Sequence, residues 1–358
     1  MSYPILRVHR DKIRENGEII IRESAKSGIS LWGVSKGISA FPEIAETFCD
    51  AGFKVIADSR MENIRKMKAK LPDAEYALIR IPMLSELEEV AELCDYCLIS
   101  EAVTVKTLAG ICERRAKEVK VVLMFDMGDL REGFLGAEID SFAKEFASLS
   151  SFLKIVGVGA NFSCASGVLP TTENLTELSS YAERLEKILG YKLEVISGGG
   201  TCSFHQMLHG RLPKTINSLR IGEALLLGYD TAFCDNFAIL NHDTMELEAE
   251  LVEVRTKPTL PKGLIGRDAF GNIPVFEDRG ERRRGILAIG KQDVRIEGLS
   301  PMDEGVAIIT ASSDHLLVDI EDAPVKYKVG DILRFKTDYT AMLSASTSPY
   351  VTKIFEGK

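Results

Sequence analysis

The chain has 358 residues, 45% hydrophobic and 27% charged, which suits a soluble protein with a barrel-sized domain and a smaller second one. A net charge of -9 argues against a nucleic-acid surface, and the one basic run, Arg282-Arg283-Arg284, follows Glu277, Asp278 and Glu281 and reads as a neutralised surface turn. No apolar run is long enough to span a bilayer, no signal-peptide core follows Met1, and 7 scattered cysteines fit a reduced, cytoplasmic setting rather than a disulfide framework.

Residues 1–27 read as a leading strand or turn followed by a helix. From Leu31 to about Tyr229, short β-rich runs alternate with longer helix-patterned ones. The strands are expected at 31–36, 54–58, 77–81, 96–100, 120–126, 154–161, 193–197 and 218–222. Amphipathic stretches such as 41–51, 61–71, 102–116 and 176–189 lie between them. About eight βα units predict a (β/α)8 TIM barrel over residues 1–238. Beyond it the pattern turns to alternation, at 244–256, 285–289, 304–310, 316–320 and 331–337, with Pro and Gly between the runs. This predicts a mostly-β domain over residues 239–358, with no helical periodicity of note.

Lys36 closes the first barrel strand and is followed by Gly37. A strand-end lysine ordinarily reaches solvent. In a barrel, however, strand ends share one face, where Lys36 would meet Asp58, Arg80, Asp126, Asn161, Ser197 and Arg220. A lysine in that mouth is suited to Schiff-base chemistry with a carbonyl. Ser197-Gly198-Gly199-Gly200-Thr201 follows a strand and opens a helical pattern, so its backbone N–H groups can approach an anion. Arg220-Ile221-Gly222 ends the next strand with another glycine. A phosphate site beside an aldehyde-binding lysine specifies pyridoxal 5'-phosphate. Cys94-Asp95-Tyr96-Cys97 has redox spacing, but no second pair completes a zinc set. His205 and His209 have i, i+4 spacing without the glutamate of a metalloprotease, and no metal is expected.

The order of strand lysine, glycine turn, Arg-Ile-Gly and β domain resembles the fold-type III pyridoxal-phosphate enzymes of the alanine racemase group. Val34-Ser35-Lys36-Gly37, the run Ala57 to Asn63, the run Phe125 to Gly133, and Arg267-Asp268-Ala269-Phe270-Gly271 are similar to its ornithine racemase branch. The resemblance implies a racemase of a basic amino acid, ornithine first and lysine second, working by two-base transfer of the α-proton. Lys36 would be the cofactor lysine and one base. Ser197, Gly198, Gly199, Gly200, Thr201, Gly222 and Tyr339 would hold the phosphate, Arg220 would meet the ring nitrogen, and Asn161 would lie near the ring. Arg131 would place the cofactor phenolate or the substrate carboxylate, and Ser313 would offer a backbone N–H to that carboxylate. Asp129 would pair with the substrate's side-chain ammonium.

Two positions depart from alanine racemases. Met124 stands where they carry a modifiable lysine, and Phe270 where they carry the tyrosine base. Asp268 is then the expected second base, with Lys291 as the other candidate. The likeness also implies a head-to-tail homodimer whose β domain completes the partner's site. An alanine or broad-specificity racemase is an alternative. A decarboxylase of this fold would need a carboxylate at the ring nitrogen, where Arg220 stands. A single-barrel cofactor carrier would lack the β domain.

Overall fold

A computed structural model describes residues 2–357. They form two compact units: one of Arg10–His242, the other of the chain up to His9 together with Asp243–Gly357.

In the first unit, eight strands close into a barrel: β2 (Ser30–Val34), β3 (Val55–Asp58), β4 (Glu75–Leu78), β5 (Tyr96–Ile99), β6 (Val119–Phe125), β7 (Leu153–Ala160), β8 (Val195–Ser197) and β9 (Ser218–Ile221). Every pairing is parallel, and β2 bonds to both β3 and β9, which shuts the ring. The inward-facing side chains pack as an apolar layer containing Trp32, Val34, Ala57, Leu98, Val122 and Met124. The barrel is therefore filled, and chemistry is left to the loops at its rim. The expected barrel is present, with each strand within three residues of its predicted bounds.

The intervening helices are α1 (Arg10–Ala25), α2 (Pro42–Ala51), α3 (Met61–Lys70), α4 (Leu87–Leu93), α5 (Ala102–Arg115), α6 (Ile139–Phe146), α7 (Thr172–Leu189), α8 (Thr201–Leu208) and α9 (Glu223–Leu227). Local chemistry sets their ends. Thr171 caps α7 through the Asn174 N–H at 3.2 Å, and Gly190 ends it in the left-handed conformation, φ 80°. A short hairpin of β10 (Tyr229–Asp230) and β11 (Asp235–Asn236) follows.

The second unit is built on the long strand β12 (Met245–Pro258). Its sheet runs β14 (Leu299–Pro301), β17 (Ile332–Thr337), β12, β13 (Glu281–Leu287), β16 (Leu316–Asp319), β15 (Ala307–Ala311). β1 (Ile5–His9) pairs antiparallel with β12 and parallel with β18 (Thr352–Glu356). The sequence reading assigns residues 1–238 to the barrel. The pairing of β1 joins the first strand to the β unit, and the chain divides at His242 and Asp243. Helix α10 (Tyr339–Thr347) was not expected. It starts from Asp338, whose carboxylate accepts the Ala341 N–H at 2.8 Å, and it carries too weak an amphipathic stripe to be seen in sequence. The Arg282–Arg284 run is also corrected: it lies in β13 rather than in a turn, and Arg282 Nε donates to Asp319 at 2.9 Å.

Among the described residues no helix is long and apolar enough to cross a membrane.

Candidate active site

Lys36 does not end a strand. It opens a 3-10 turn, Lys36–Ile38, two residues beyond β2. Ser35 anchors that turn by donating its Oγ–H to Asp58 Oδ2 at 2.7 Å. Asp58 also accepts the Arg60 N–H at 3.0 Å and the Asn63 amide at 2.9 Å on Oδ1. The motif Ala57 to Asn63 thus fixes the segment that carries Lys36. Burial holds the Lys36 pKa below its ordinary value; Arg131 and Arg220 lower it further, while Cys164 and Asp58 oppose the shift. A lysine held this way supplies neutral amine at a pH where an exposed one would not. Lys36 lines a cavity of about 480 Å³ together with Ser59, Ile79, Arg80, Ile81, Arg131 and Glu132.

Two strands away, Ser197-Gly198-Gly199-Gly200 leads into α8. A Cβ on Gly198 would lie 2.7 Å from Ile216 Cγ2, one on Gly200 would lie 3.0 Å from the Arg220 carbonyl oxygen, and Gly199 has φ +108°. Side chains are therefore excluded, and the backbone can approach an anion at the N-terminus of an eight-residue helix. Thr201 Oγ1 accepts the Ala224 N–H at 3.2 Å, tying this turn to the one at Gly222. Gly222 itself packs against Val34 of β2, where a Cβ would sit 3.3 Å from Val34 Cβ. Both glycine turns and Lys36 thereby cluster on neighbouring strand ends.

Arg220 is buried, and burial pushes its pKa down to about 10. Nη1 donates to Ser197 Oγ at 2.5 Å, and Nη2 donates to the Ala160 carbonyl at 2.7 Å and to Asn161 Oδ1 at 2.9 Å. Of the five guanidinium N–H groups, Nε–H and one Nη1–H carry none of these bonds and can serve a ligand acceptor. Gly159 makes room for the side chain, since a Cβ there would lie 3.3 Å from Arg220 Nη1. Sequence reasoning passed over Gly159; its signal was a glycine inside a strand.

The loop after β6 carries Asp129, Arg131 and Glu132. Asp126 Oδ1 accepts the N–H groups of Gly128 at 2.8 Å and Leu130 at 3.1 Å, and a Cβ on Gly133 would collide with the Asp126 nitrogen at 2.0 Å. Glu132 pairs with Arg131 through both carboxylate oxygens and accepts the Asn161 amide at 2.7 Å. Glu132 was not among the expected site residues. Asp129, expected at the substrate ammonium, is corrected. Only 2% exposed, its carboxylate accepts the N–H groups of Cys164 at 3.1 Å, Ala165 at 2.9 Å, Ser166 at 3.1 Å and Val168 at 3.2 Å. It organises the loop after β7 and has no oxygen left facing the cavity. That loop carries Cys164, which stands within electrostatic reach of Lys36, Arg131 and Arg220.

In the second unit, Asp268 closes a turn. Its carboxylate accepts the Phe270 N–H at 2.9 Å, the Asn272 N–H at 2.7 Å and the Asn272 side-chain amide at 3.1 Å. These bonds hold its pKa below the ordinary carboxylate value, which weakens it as a base. These turn bonds count against Asp268 as the expected second base. Lys291 stands over the Phe270 ring at 4.3 Å, and its N–H donates to Ser312 at 2.9 Å. Gly290 permits that approach, because a Cβ there would strike the Ser313 oxygen at 2.1 Å. Lys291 and the Ser313 loop are thus neighbours. Tyr339 is the first residue of α10.

The barrel's donors fit pyridoxal phosphate: a buried amine, a side-chain-free anion cradle and a buried arginine with N–H groups to spare. They define a barrel protein equipped to hold a phosphorylated aldehyde on a lysine. Residues 8–230 match the alanine racemase N-terminal domain. The chain belongs to this family, whose chemistry rests on pyridoxal phosphate. It is 38% identical to a lysine racemase of Thermotoga maritima over 99% of both chains. It is 39% identical to an ornithine racemase of Acetoanaerobium sticklandii over 98% of this chain and 99% of that one. Among solved structures, alanine racemase from Streptomyces lavendulae shares the fold with TM-score 0.80 at 15% identity, covering 100% of this chain and 98% of that one. Alanine racemase from Bartonella henselae, which carries covalently bound pyridoxal phosphate, gives 0.75 at 16% identity over 99% of this chain and 100% of that one.

Proposed function

We propose that this protein is a pyridoxal-phosphate-dependent racemase of basic amino acids, with ornithine as the preferred substrate and lysine as the second. The observation that carries the reading is the buried Lys36 amine set beside Arg220 and two glycine turns. The lysine and ornithine racemases to which the chain is similar along nearly its whole length support the basic side chain.

Lys36 would hold the cofactor, the turns at Ser197–Thr201 and Gly222 would hold its phosphate, and Asn161 would flank its ring. When bound, pyridoxal phosphate supplies an aldehyde for covalent attachment and a ring that draws electrons from the substrate Cα. The lowered pKa of Lys36 lets its Nζ take a proton from Cα on one face and return it readily. Arg220 would donate to the ring nitrogen and keep it unprotonated, which limits how much charge the ring draws and favours prompt return of the proton. Arg131 would receive the substrate carboxylate or the cofactor phenolate.

The second face needs a base, and with Asp268 committed to its turn we place that role on Lys291, delivered by a second copy of the chain. Its position beside Ser313, whose backbone N–H would meet the substrate carboxylate, supports the pairing of the two. Leu264, Ile265, Ile273, Val275 and Phe276 are exposed on the connection between β12 and β13, and covering them by a second copy removes apolar area from water. Purified protein loaded with cofactor is to be offered L-ornithine, L-lysine, L-arginine and L-alanine, with products resolved by chiral chromatography and carbon dioxide monitored. D-ornithine without carbon dioxide is the expected result. Decarboxylation, or turnover of alanine alone, would overturn the reading.

A further inference from the structure

We infer that Glu132 is a positioning residue that sets Arg131 directly and Arg220 through the side-chain amide of Asn161. The inference rests on the proposed function and deepens it.

Asn161 lies between opposite demands. Its Nδ2 donates to Glu132 Oε1 at 2.7 Å, and its Oδ1 accepts from Arg220 Nη2 at 2.9 Å. An amide has one donor end and one acceptor end, so a carboxylate on one side and a guanidinium on the other permit a single orientation. Turned over, the amide would set NH2 against a guanidinium and oxygen against a carboxylate. Glu132 thus decides which way Asn161 points, and Asn161 decides which acceptor Arg220 Nη2 finds.

The same carboxylate takes Arg131 through both oxygens. Arg131 and Arg220 lie close enough for each guanidinium to act on the Lys36 amine, while Glu132 acts on both arginines. With Glu132 in place, Arg131 lines the cavity as half of an ion pair. With Glu132 neutralised, Arg131 is a bare cation that attracts a substrate carboxylate more strongly and lowers the affinity of Lys36 for a proton. Tighter ground-state binding without matching transition-state binding lowers KM and kcat together. The groups facing Lys36 in this balance are Cys164 from the loop after β7, Arg131 from the loop after β6, Asp58 from β3 and Arg220 from β9.

The test compares wild type, Glu132→Gln, Glu132→Asp, Asn161→Ala and the Gln/Ala double variant, each loaded with pyridoxal phosphate and titrated by visible absorbance from pH 6 to 11. Borohydride trapping on Lys36 measures loading separately. For Glu132→Gln we expect loading as in wild type, kcat for ornithine down by about tenfold to a hundredfold, KM down several-fold, and the absorbance midpoint moved to lower pH. Glu132→Asp keeps the charge but shortens the reach, so the midpoint should return toward wild type while kcat stays low; it also serves should the glutamine variant fail to fold. Glu132→Gln and Asn161→Ala should be non-additive in kcat. Additive losses, or a Gln variant with wild-type kcat, KM and midpoint, would overturn the inference. Wild type that fails to load would instead overturn the proposed function, so the two failures are distinguishable.

Discussion

Asp129→Asn separates substrate recognition from loop support. The wild-type carboxylate satisfies four backbone N–H groups of the loop after β7 from a buried position. Asparagine keeps the shape but exchanges one acceptor oxygen for an NH2 group. The two N–H groups on that side then lose their acceptor and face a donor. A buried donor left without a partner costs about 1–3 kcal/mol, so the variant should lose about 2–6 kcal/mol if the loop stays put, and less if the loop opens to water. For a domain of this size, about 3 kcal/mol corresponds to a fall in Tm of roughly 6–12 °C. Calorimetry of loaded and unloaded protein reads that fall directly. Loosening the loop also frees Cys164 beside Lys36, so kcat/KM should drop by the same factor for ornithine and for an uncharged amino acid turned over slowly. An unchanged Tm with a loss confined to ornithine would refute this account and return Asp129 to the substrate ammonium.

Lys36→Met should abolish borohydride-trapped cofactor and raise the Tm of the unloaded protein at neutral pH, because a buried amine that resists charging is replaced by an apolar chain of similar length. The folded pKa of Lys36 lies below the unfolded value of 10.5, so in that interval the unfolded chain binds more protons. Stability of the unloaded wild type should therefore rise as pH climbs toward 10.5 and fall as pH drops through the folded value, and the difference between wild type and Lys36→Met isolates this slope. Asp268→Ala should keep racemisation within about threefold of wild type, whereas Lys291→Ala should cost about a hundredfold or more, read by chiral chromatography. If the partner supplies Lys291, mixing inactive Lys36→Ala with inactive Lys291→Ala should restore about a quarter of wild-type activity, since half the dimers are mixed and each has one intact site. A mixture that stays inactive after subunit exchange, shown by native mass spectrometry, would count against a shared site.

The barrel was legible because each unit repeats a local signal: a β-branched run, a polar end, then an amphipathic helix. Lys36, Arg220 and the glycine turns stood at or just beyond those ends and could be picked out by position. The β unit was less legible. β18 has no alternating core face, with Lys353 to Glu356 all half-buried, and α10 has almost no apolar stripe. The pairing of β1 with β12 joins residues more than two hundred positions apart, and no local pattern carries that information.

The two acidic residues expected at the substrate spend their oxygens elsewhere, for different reasons. Asp268 precedes Phe270, Gly271 and Asn272, and an aspartate just ahead of a glycine ordinarily spends its oxygens on its own turn; that signal was present and was outweighed by the resemblance. Asp129 gave no such signal, since its donors lie 35 to 39 residues away on the next strand's loop. Glu132, three residues on, is the carboxylate that lines the cavity. Adjacent acidic residues in one loop thus divide between holding a neighbouring loop and setting the field around the amine. A loop's charge alone does not show which is which, because the deciding quantity is where the opposing N–H groups sit. It follows that Asp129→Asn should act first on Tm, whereas Glu132→Gln should leave Tm near wild type and move the pH midpoint.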